Sequence, residues 1–311
     1  MDSTMAGKMN SAGLPKIPEE LAALMAHVGP RWAEDIPRHS KLMAEQFSTI
    51  HATGDKSGTA VEYDIPYGAN ARQKLDLYQP TGKQGARPAL IFVHGGAFVE
   101  GDRNRTPEVY GNVLSYFTRH SVVGLNAGYR LAPEACYPEA SHDVARVVAW
   151  VLKHAPEIGV DPSRIFLMGH SAGAAHAATY AYDSRVHPAA GPGIAGLIVV
   201  SGRVRADNQP INPNSRKVEA YYGCDASTYD DRSPVSHAGA NSPPTMIAWA
   251  EFENPLIDVY CLELAHRLAM ARNKAPRVLR LEGHNHTSMV AHIGTADERL
   301  GSAVLDFMQS P

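Results

Sequence analysis

Apolar and polar positions follow two periods along this chain. Runs with the strand period, or apolar on both faces, predict eight strands: AVEYDIPY, KLDLYQ, ALIFVH, VVGLNAGY, RIFLMG, AGLIVVS, TMIAWAE and RVLRLE. Stretches with the helical period lie near residues 106–119, 139–154, 172–183, 257–273 and 296–309. Strand and helix alternate from the third strand onward. This pattern predicts an α/β fold with a mostly parallel eight-stranded sheet, its last six strands parallel and helices on both faces.

Two segments depart from the alternation of strand and helix. Residues 18–50 predict two amphipathic helices interrupted at Gly29-Pro30, and they precede every predicted strand. Residues 203–243 are rich in Asn, Pro, Asp, Ser and Gly, which predicts a long excursion over the surface. We therefore expect an N-terminal helical cap segment, residues 1–55, and an α/β domain, residues 56–311, that includes this excursion.

Composition and charge narrow the class of protein. Hydrophobic residues make up 44% and charged residues 20% of the 311 residues, as in ordinary globular chains. The formal net charge is only −3, which gives no electrostatic reason to expect a nucleic-acid partner. Residues 1–16 lack the apolar core of a signal peptide, and no apolar run approaches the ~20 residues that span a bilayer. We expect no membrane insertion.

The cysteines bear on metal binding and on location. Cys136, Cys224 and Cys261 lie far apart and have no zinc-ligand spacing. This arrangement predicts neither a disulfide framework nor a structural metal, and it favours a reducing compartment. We expect a cytoplasmic protein.

The clearest chemical motif is Gly-His-Ser-Ala-Gly at residues 169–173, between a predicted strand and a predicted helix. A nucleophile on a tight strand-to-helix turn needs strained backbone angles and small neighbours. Ser171 is the predicted nucleophile. Because a helix begins directly after it, the backbone N–H of Ala172 is expected to face an oxyanion formed there.

A second motif, His-Gly-Gly-Ala-Phe at residues 94–98, follows the third predicted strand. Adjacent glycines let the main chain approach a substrate and direct N–H groups at developing negative charge. Gly95 and Gly96 are therefore further candidate oxyanion donors.

A serine nucleophile needs a base near neutrality and a carboxylate that orients the base. His284 and His286 both follow the last predicted strand and compete for the role of base. Glu251, Glu253 and Asp258 follow the seventh predicted strand and compete for the role of acid.

The motifs at residues 94–98 and 169–173, with YRLAPE at 129–134, AEFENP at 250–255 and GHNH at 283–286, run in the order of a known superfamily. The chain resembles the α/β hydrolases, and among them the hormone-sensitive-lipase-like esterases and the allied arylformamidase-like carboxylesterases. The resemblance covers residues 60–310. It departs from the usual pattern at Ala97, where a third glycine is common.

The resemblance implies roles for particular residues. It selects His286 as base and Glu253 as acid, with glutamate in place of the usual aspartate. It places Phe98 beside the oxyanion loop, and we expect Phe98 and His170 to line the substrate pocket. A homodimer is common among the proteins that this chain resembles.

The expected reaction is hydrolysis of a small-molecule carboxylic ester through an acyl-enzyme, with no cofactor and no metal. Short or medium acyl groups or small aromatic esters are the favoured substrates. One alternative, with the same residues, is arylformamidase-type cleavage of N-formyl aromatic amides. A remote alternative is a non-catalytic ligand receptor on a hydrolase fold.

Overall fold

The computed structural model describes residues 9–10, 13–82 and 85–311. Within them the chain forms eight strands, which we number in chain order: β1 (Thr59–Pro66), β2 (Lys74–Pro80), β3 (Arg87–Val93), β4 (Val123–Ala127), β5 (Val160–His170), β6 (Gly196–Val200), β7 (Thr245–Phe252) and β8 (Arg277–Asn285). All eight belong to one sheet with the order β1-β2-β4-β3-β5-β6-β7-β8.

The sheet is antiparallel only at one edge. β1 pairs with β2 and β2 with β4 in antiparallel fashion, whereas β3 to β8 are parallel to one another. The predicted α/β architecture is confirmed. Val93 on β3 pairs with Gly169 on β5, so the strands that precede the two glycine motifs end side by side.

Helices cover both faces of the sheet. The helices of eight or more residues are α1 (Glu19–Val28), α2 (Ile36–Ala52), α3 (Gly111–Arg119), α4 (Glu139–Ile158), α5 (Ala172–Tyr182), α6 (Ser215–Tyr222), α9 (Ile257–Arg272) and α11 (Arg299–Gln309). Single-turn helices are α7 (Tyr229–Arg232), α8 (Pro234–His237) and α10 (Ser288–Ala291), and 3₁₀ turns span Gly29–Glu34 and Ala226–Thr228.

The core has two layers because side chains alternate along the buried strands. On β3, Ile91 and Val93 face a layer that contains α4, α5 and α9. Leu90 and Phe92 face the other layer, which contains α1, α2, α3 and α11. All four side chains are fully buried, as expected for a central strand of a parallel sheet.

The N-terminal helices share the second layer with the sheet. Trp32 and Phe47 are buried there, in one cluster with Phe92 of β3. α1 ends before Gly29-Pro30, where the predicted interruption is a 3₁₀ turn. Of residues 1–12, the first part of the expected cap segment, only residues 9 and 10 lie within the described part.

Residues 203–243 are more ordered than the predicted surface excursion. They contain α6, α7 and α8, and Val218, Tyr221 and Tyr222 of α6 are buried. Because these three residues lie three or four apart, they form an apolar helix face, and its Tyr221 packs on Phe98 and on His176 of α5. Residues 203–243 thus reach into the core through α6, in addition to running over the surface.

No helix in the described residues is long and apolar enough to cross a lipid bilayer.

Candidate active site

Ser171 occupies a strained turn between β5 and α5. Its backbone has φ 57° and ψ −119°, outside the regions that L-residues usually adopt. A Cβ on Gly173 would lie 2.2 Å from the carbonyl oxygens of His94 and Val93. A Cβ on Gly169 would lie 2.5 Å from the Cα of Ala174. Small residues are therefore required because the first turn of α5 packs directly against the end of β3 at Gly173 and against β5 at Gly169.

The structure brings Ser171, His286 and Glu253 together from three separate elements. His286 Nε2 lies 3.0 Å from Ser171 Oγ, and His286 Nδ1 lies 2.5 Å from Glu253 Oε2. The Ser171 residue is half-buried, whereas the His286 and Glu253 side chains are 7% and 4% exposed. This is the hydrogen-bond order that nucleophilic catalysis by serine requires.

The second oxygen of Glu253 is held by its own surroundings. Glu253 Oε1 accepts a hydrogen bond from Ser201 Oγ at 2.5 Å and one from the backbone N–H of Ala250 at 2.8 Å. The longer glutamate side chain can therefore reach the histidine while the other oxygen is anchored to the end of β7. Ser201 was not among the predicted residues, and its position directly after β6 was the available signal.

The competing acids lie elsewhere. Asp258 is exposed and accepts a hydrogen bond from the N–H of Val259 at the start of α9. Glu251 is exposed, accepts a hydrogen bond from the N–H of Gly283 and pairs with Arg280 at 3.3 Å.

The competing base, His284, faces a different set of partners. Its Nδ1 lies 3.0 Å from Ser288 Oγ and its Nε2 lies 3.0 Å from Asp297 Oδ2. His284 is buried and is the penultimate residue of β8, whereas His286 lies beyond the strand in the turn before α10. The end of the strand therefore separates the two histidines.

The glycine loop after β3 lies against Ser171. A Cβ on Gly95 would be 3.1 Å from the Cβ of Ser171, and a Cβ on Gly96 would be 1.8 Å from the carbonyl oxygen of Glu100. In the described residues, the N–H groups of Gly95, Gly96 and Ala172 donate to no other group of the chain. These N–H groups remain free for a ligand oxygen. Ala97, which replaces a glycine, has φ 47°.

The two predicted pocket residues are not open to solvent, since Phe98 and His170 are each 1% exposed. The Phe98 ring stacks on Tyr221 with 5.0 Å between centroids. His170 Nε2 lies 2.9 Å from the carbonyl oxygen of His286 and donates to it, which supports the turn carrying that histidine. Burial, reinforced by the nearby His286, lowers the pKa of His170 well below its usual value. Their packing gives no support to a pocket role.

A second group has donor atoms close enough for a metal ion. His284, His292 and Asp297 offer ligand atoms that all lie within 4.8 Å of one another. Arg299 already donates to both oxygens of Asp297, at 2.9 and 2.7 Å, and holds the pKa of that carboxyl far below its usual range together with His284. The guanidinium thus supplies the positive charge that a metal would bring.

Comparisons with known proteins agree with the fold. The sequence model of the BD-FAE family matches residues 75–258, more than half of the chain. A probable isoprenylcysteine alpha-carbonyl methylesterase of Arabidopsis thaliana is 30% identical over 164 residues, 52% of this chain and 30% of that protein. The versiconal hemiacetal acetate esterase of Dothistroma septosporum is 26% identical over 216 residues, 62% of this chain and 64% of that protein. The chain thus spans less than two thirds of either relative.

A solved bacterial heroin esterase superposes with a TM-score of 0.68 and 22% identity, covering 96% of this chain and 94% of that one. The architecture and the strand-to-helix turn at Ser171 are those of an α/β hydrolase, as the sequence resemblance implies. Within that class, the chain belongs to the BD-FAE family.

Proposed function

We propose that this protein is a serine hydrolase that cleaves carboxylic esters through an acyl-enzyme. One observation carries the proposal: Ser171 Oγ, on a strained turn, lies 3.0 Å from His286 Nε2, while Glu253 lies 2.5 Å from Nδ1 of the same ring. The esterase names of the relatives support the same class of reaction.

The reaction has two half-reactions. Ser171 Oγ attacks the ester carbonyl carbon while His286 Nε2 takes the hydroxyl proton. The tetrahedral oxyanion accepts hydrogen bonds from the N–H groups of Gly95, Gly96 and Ala172. When the intermediate collapses, the bond to the alcohol oxygen breaks and His286 delivers its proton to that oxygen.

Water completes the cycle. His286 takes a proton from water as the water oxygen attacks the acyl carbon, and the second intermediate expels Ser171, which recovers its proton from His286. Glu253 holds the imidazole in the orientation that leaves Nε2 facing Ser171, and its charge stabilises the imidazolium formed in each half-reaction. The chemistry calls for no cofactor.

We propose a small-molecule ester with a short or medium acyl group, or a small aromatic ester, as the substrate. The name of one relative, an acetate esterase, supports a short acyl group. A cytoplasmic location is proposed on the three free cysteines, of which Cys136 and Cys224 are exposed. The homodimer stays a prediction.

The test is labelling with a fluorophosphonate, followed by intact mass and by turnover of p-nitrophenyl esters from C2 to C12. The proposal expects one adduct, which is absent in Ser171→Ala and present in the matched control Ser288→Ala, and turnover that is greatest for short chains. Labelling without ester turnover, but with turnover of N-formylkynurenine, would favour the formamidase alternative. Folded protein that takes no label would favour a ligand receptor.

A further inference from the structure

We propose that residues 29–40, here called the clasp segment, position the acid and the base of the triad by holding the residues next to them. The inference rests on the proposed function. The segment runs from the 3₁₀ turn at Gly29–Glu34 into the first turns of α2. Two of its side chains are positioning residues. Trp32 acts through Asn254, and Ser40 acts through Thr287.

The first contact holds the acid loop. Trp32 Nε1 donates a hydrogen bond to Asn254 Oδ1 at 2.7 Å, and both side chains are buried. Asn254 directly follows Glu253. On the other side, a Cβ on Gly29 would lie 2.4 Å from the ring of Phe252, so the segment packs closely on the residue before the acid. Both chain neighbours of Glu253 therefore contact the clasp segment.

The second contact holds the base turn. Ser40 Oγ lies 2.7 Å from Thr287 Oγ1, and Thr287 directly follows His286 and is fully buried. Arg105 Nη2 donates to Ser40 Oγ at 2.7 Å. Because the guanidinium can only donate, the single hydroxyl proton of Ser40 is free to be donated to Thr287. This hydrogen bond links the clasp segment to the base turn, and either hydroxyl can be its donor.

The segment itself is held in shape between these two contacts. Asp35 caps α2 by accepting a hydrogen bond from the N–H of Arg38 at 3.1 Å. His39 Nδ1 lies 3.2 Å from the carbonyl oxygen of Trp32. The separation of Trp32 from Ser40 is thus set by local hydrogen bonds, and the segment acts as one rigid piece that spans the ends of β7 and β8.

The triad depends on the separation of Trp32 from Ser40 because Glu253 and His286 follow two different strands, β7 and β8. Catalytic side chains must be held to within about 0.5 Å of their working positions. A displacement of about 1 Å costs on the order of 10²-fold in rate. Loss of one clasp hydrogen bond is expected to shift the acid loop or the base turn by a fraction of that distance, and so to lower kcat while leaving substrate binding nearly unchanged.

The experiment compares Trp32→Phe and Ser40→Ala with two matched controls. Trp32→Phe keeps an aromatic ring and removes the N–H. Trp150→Phe makes the same change on α4, where the Trp150 ring lies 4.5 Å from that of His154. Ser40→Ala removes the hydroxyl, and Ser48→Ala does so on the same helix, where Ser48 binds Thr106 at 2.8 Å. The readouts are kcat and KM for p-nitrophenyl acetate, the rate of Ser171 phosphonylation, and the melting temperature.

We expect each clasp variant to lower kcat and the phosphonylation rate by about tenfold, with KM within about twofold of the wild type. Both control variants keep wild-type rates. Ser40→Thr, which restores a hydroxyl, recovers most of the loss.

The possible failures are distinguishable. Wild-type protein that is neither labelled nor active overturns the proposed function and the clasp with it. Wild-type protein that is labelled, with clasp variants as fast as the controls, overturns the clasp alone. A raised KM with unchanged kcat also overturns it, since that would mean a substrate contact. If Trp32→Phe does not fold, the half-buried Ser40 and its threonine rescue decide the outcome.

Discussion

Beside the candidate triad, this protein forms a second serine–histidine–carboxylate arrangement from Ser288, His284 and Asp297. Both hydrogen bonds of the second arrangement are 3.0 Å long, within the range expected of a working triad. The two histidines lie two residues apart, one at each side of the end of β8. The surroundings of the two serines, however, suit only Ser171 to attack a substrate.

The two serines differ in access and in hydrogen bonding. Ser288 is fully buried at the start of α10, and its hydroxyl also accepts a hydrogen bond from the N–H of Asn285 at 2.9 Å. Ser171 is half-buried, sits at positive φ and lies against the unpaired N–H groups of the glycine loop. A serine, a histidine and a carboxylate joined by hydrogen bonds are therefore not sufficient for catalysis. The serine must also be reachable and must face donors for the oxyanion.

The largest expected effect separates the two serines. Ser171→Ala is expected to lower kcat by about 10⁴–10⁶-fold because it removes the nucleophile. Ser288→Ala is expected to keep labelling at Ser171 and to lose no more than about tenfold in ester turnover, because its hydroxyl holds only the turn that carries His286. It is also expected to lower the free energy of unfolding by about 1–3 kcal/mol, since a buried hydroxyl is lost. Turnover of the ester series measures the effect on activity in each variant, and urea unfolding measures the effect on stability. Equal loss of activity in the two variants would remove the distinction.

The next largest effect distinguishes two of the three candidate acids, Glu253 and Asp258. Glu253→Gln is expected to lower kcat by about 10³–10⁴-fold because a neutral amide stabilises neither the imidazolium nor its orientation. Asp258→Asn is the matched control, and it is expected to stay within about threefold of the wild type because Asp258 is exposed at the start of α9. A greater loss in Asp258→Asn would reassign the acid.

A third kind of histidine, without any carboxylate partner, sharpens the comparison. His176 packs between Phe98 and Tyr129, and burial lowers its pKa to about 3. The folded protein therefore keeps it neutral while the unfolded chain takes up a proton below about pH 6.5, so stability falls as the pH drops between these values. Between pH 7 and pH 5, the free energy of unfolding is expected to fall by about 2 kcal/mol less in His176→Phe than in the wild type.

Unfolding in urea at several pH values, with the linear dependence on urea checked at each, measures this difference. Parallel pH curves for the wild type and His176→Phe would mean that the buried ring is protonated in the folded protein.

The smallest effect concerns the carboxylate of the second arrangement. Arg299 and His284 hold the pKa of Asp297 below its usual range, so its contribution to stability is present above about pH 4 and is lost as the pH falls further. Arg299→Gln is expected to lower the free energy of unfolding by about 1 kcal/mol at pH 7, because the Arg299 side chain is half-exposed and screened. This difference in the free energy of unfolding between Arg299→Gln and the wild type should shrink below pH 4. A deficit that is constant with pH would indicate lost packing instead.

The part of the site that could be predicted from sequence is the part built from short stretches of chain. Glycines at positions 169 and 173 surround Ser171 within a single turn, and the close approach of β3 to α5 makes small residues necessary there. The alternation of strand and helix likewise predicted the parallel sheet, because β3 to β7 contain buried apolar runs and β4 to β8 each follow a helix.

The sequence did not distinguish between candidate residues of similar type that lie close together in the chain. His284 and His286 both follow the predicted strand RVLRLE, and only the end of β8 at Asn285 directs them to different partners. Family resemblance, not periodicity, favoured His286 and Glu253. The buried positions of Phe98 and His170 were missed because α6 covers Phe98 from a segment that its composition predicted to be superficial.

The amino-acid sequence by itself determined the strained turn at Ser171, the glycine loop and the order of strands and helices, because steric contacts and side-chain periodicity act over a few residues. Tertiary structure alone decided which histidine meets Ser171, which carboxylate meets the histidine, and that Trp32 reaches Asn254, 222 residues away in the chain. Those contacts depend on where the ends of β7 and β8 lie relative to β5, across β6, and on the N-terminal helices packed over them. Both are set by burial of the whole core.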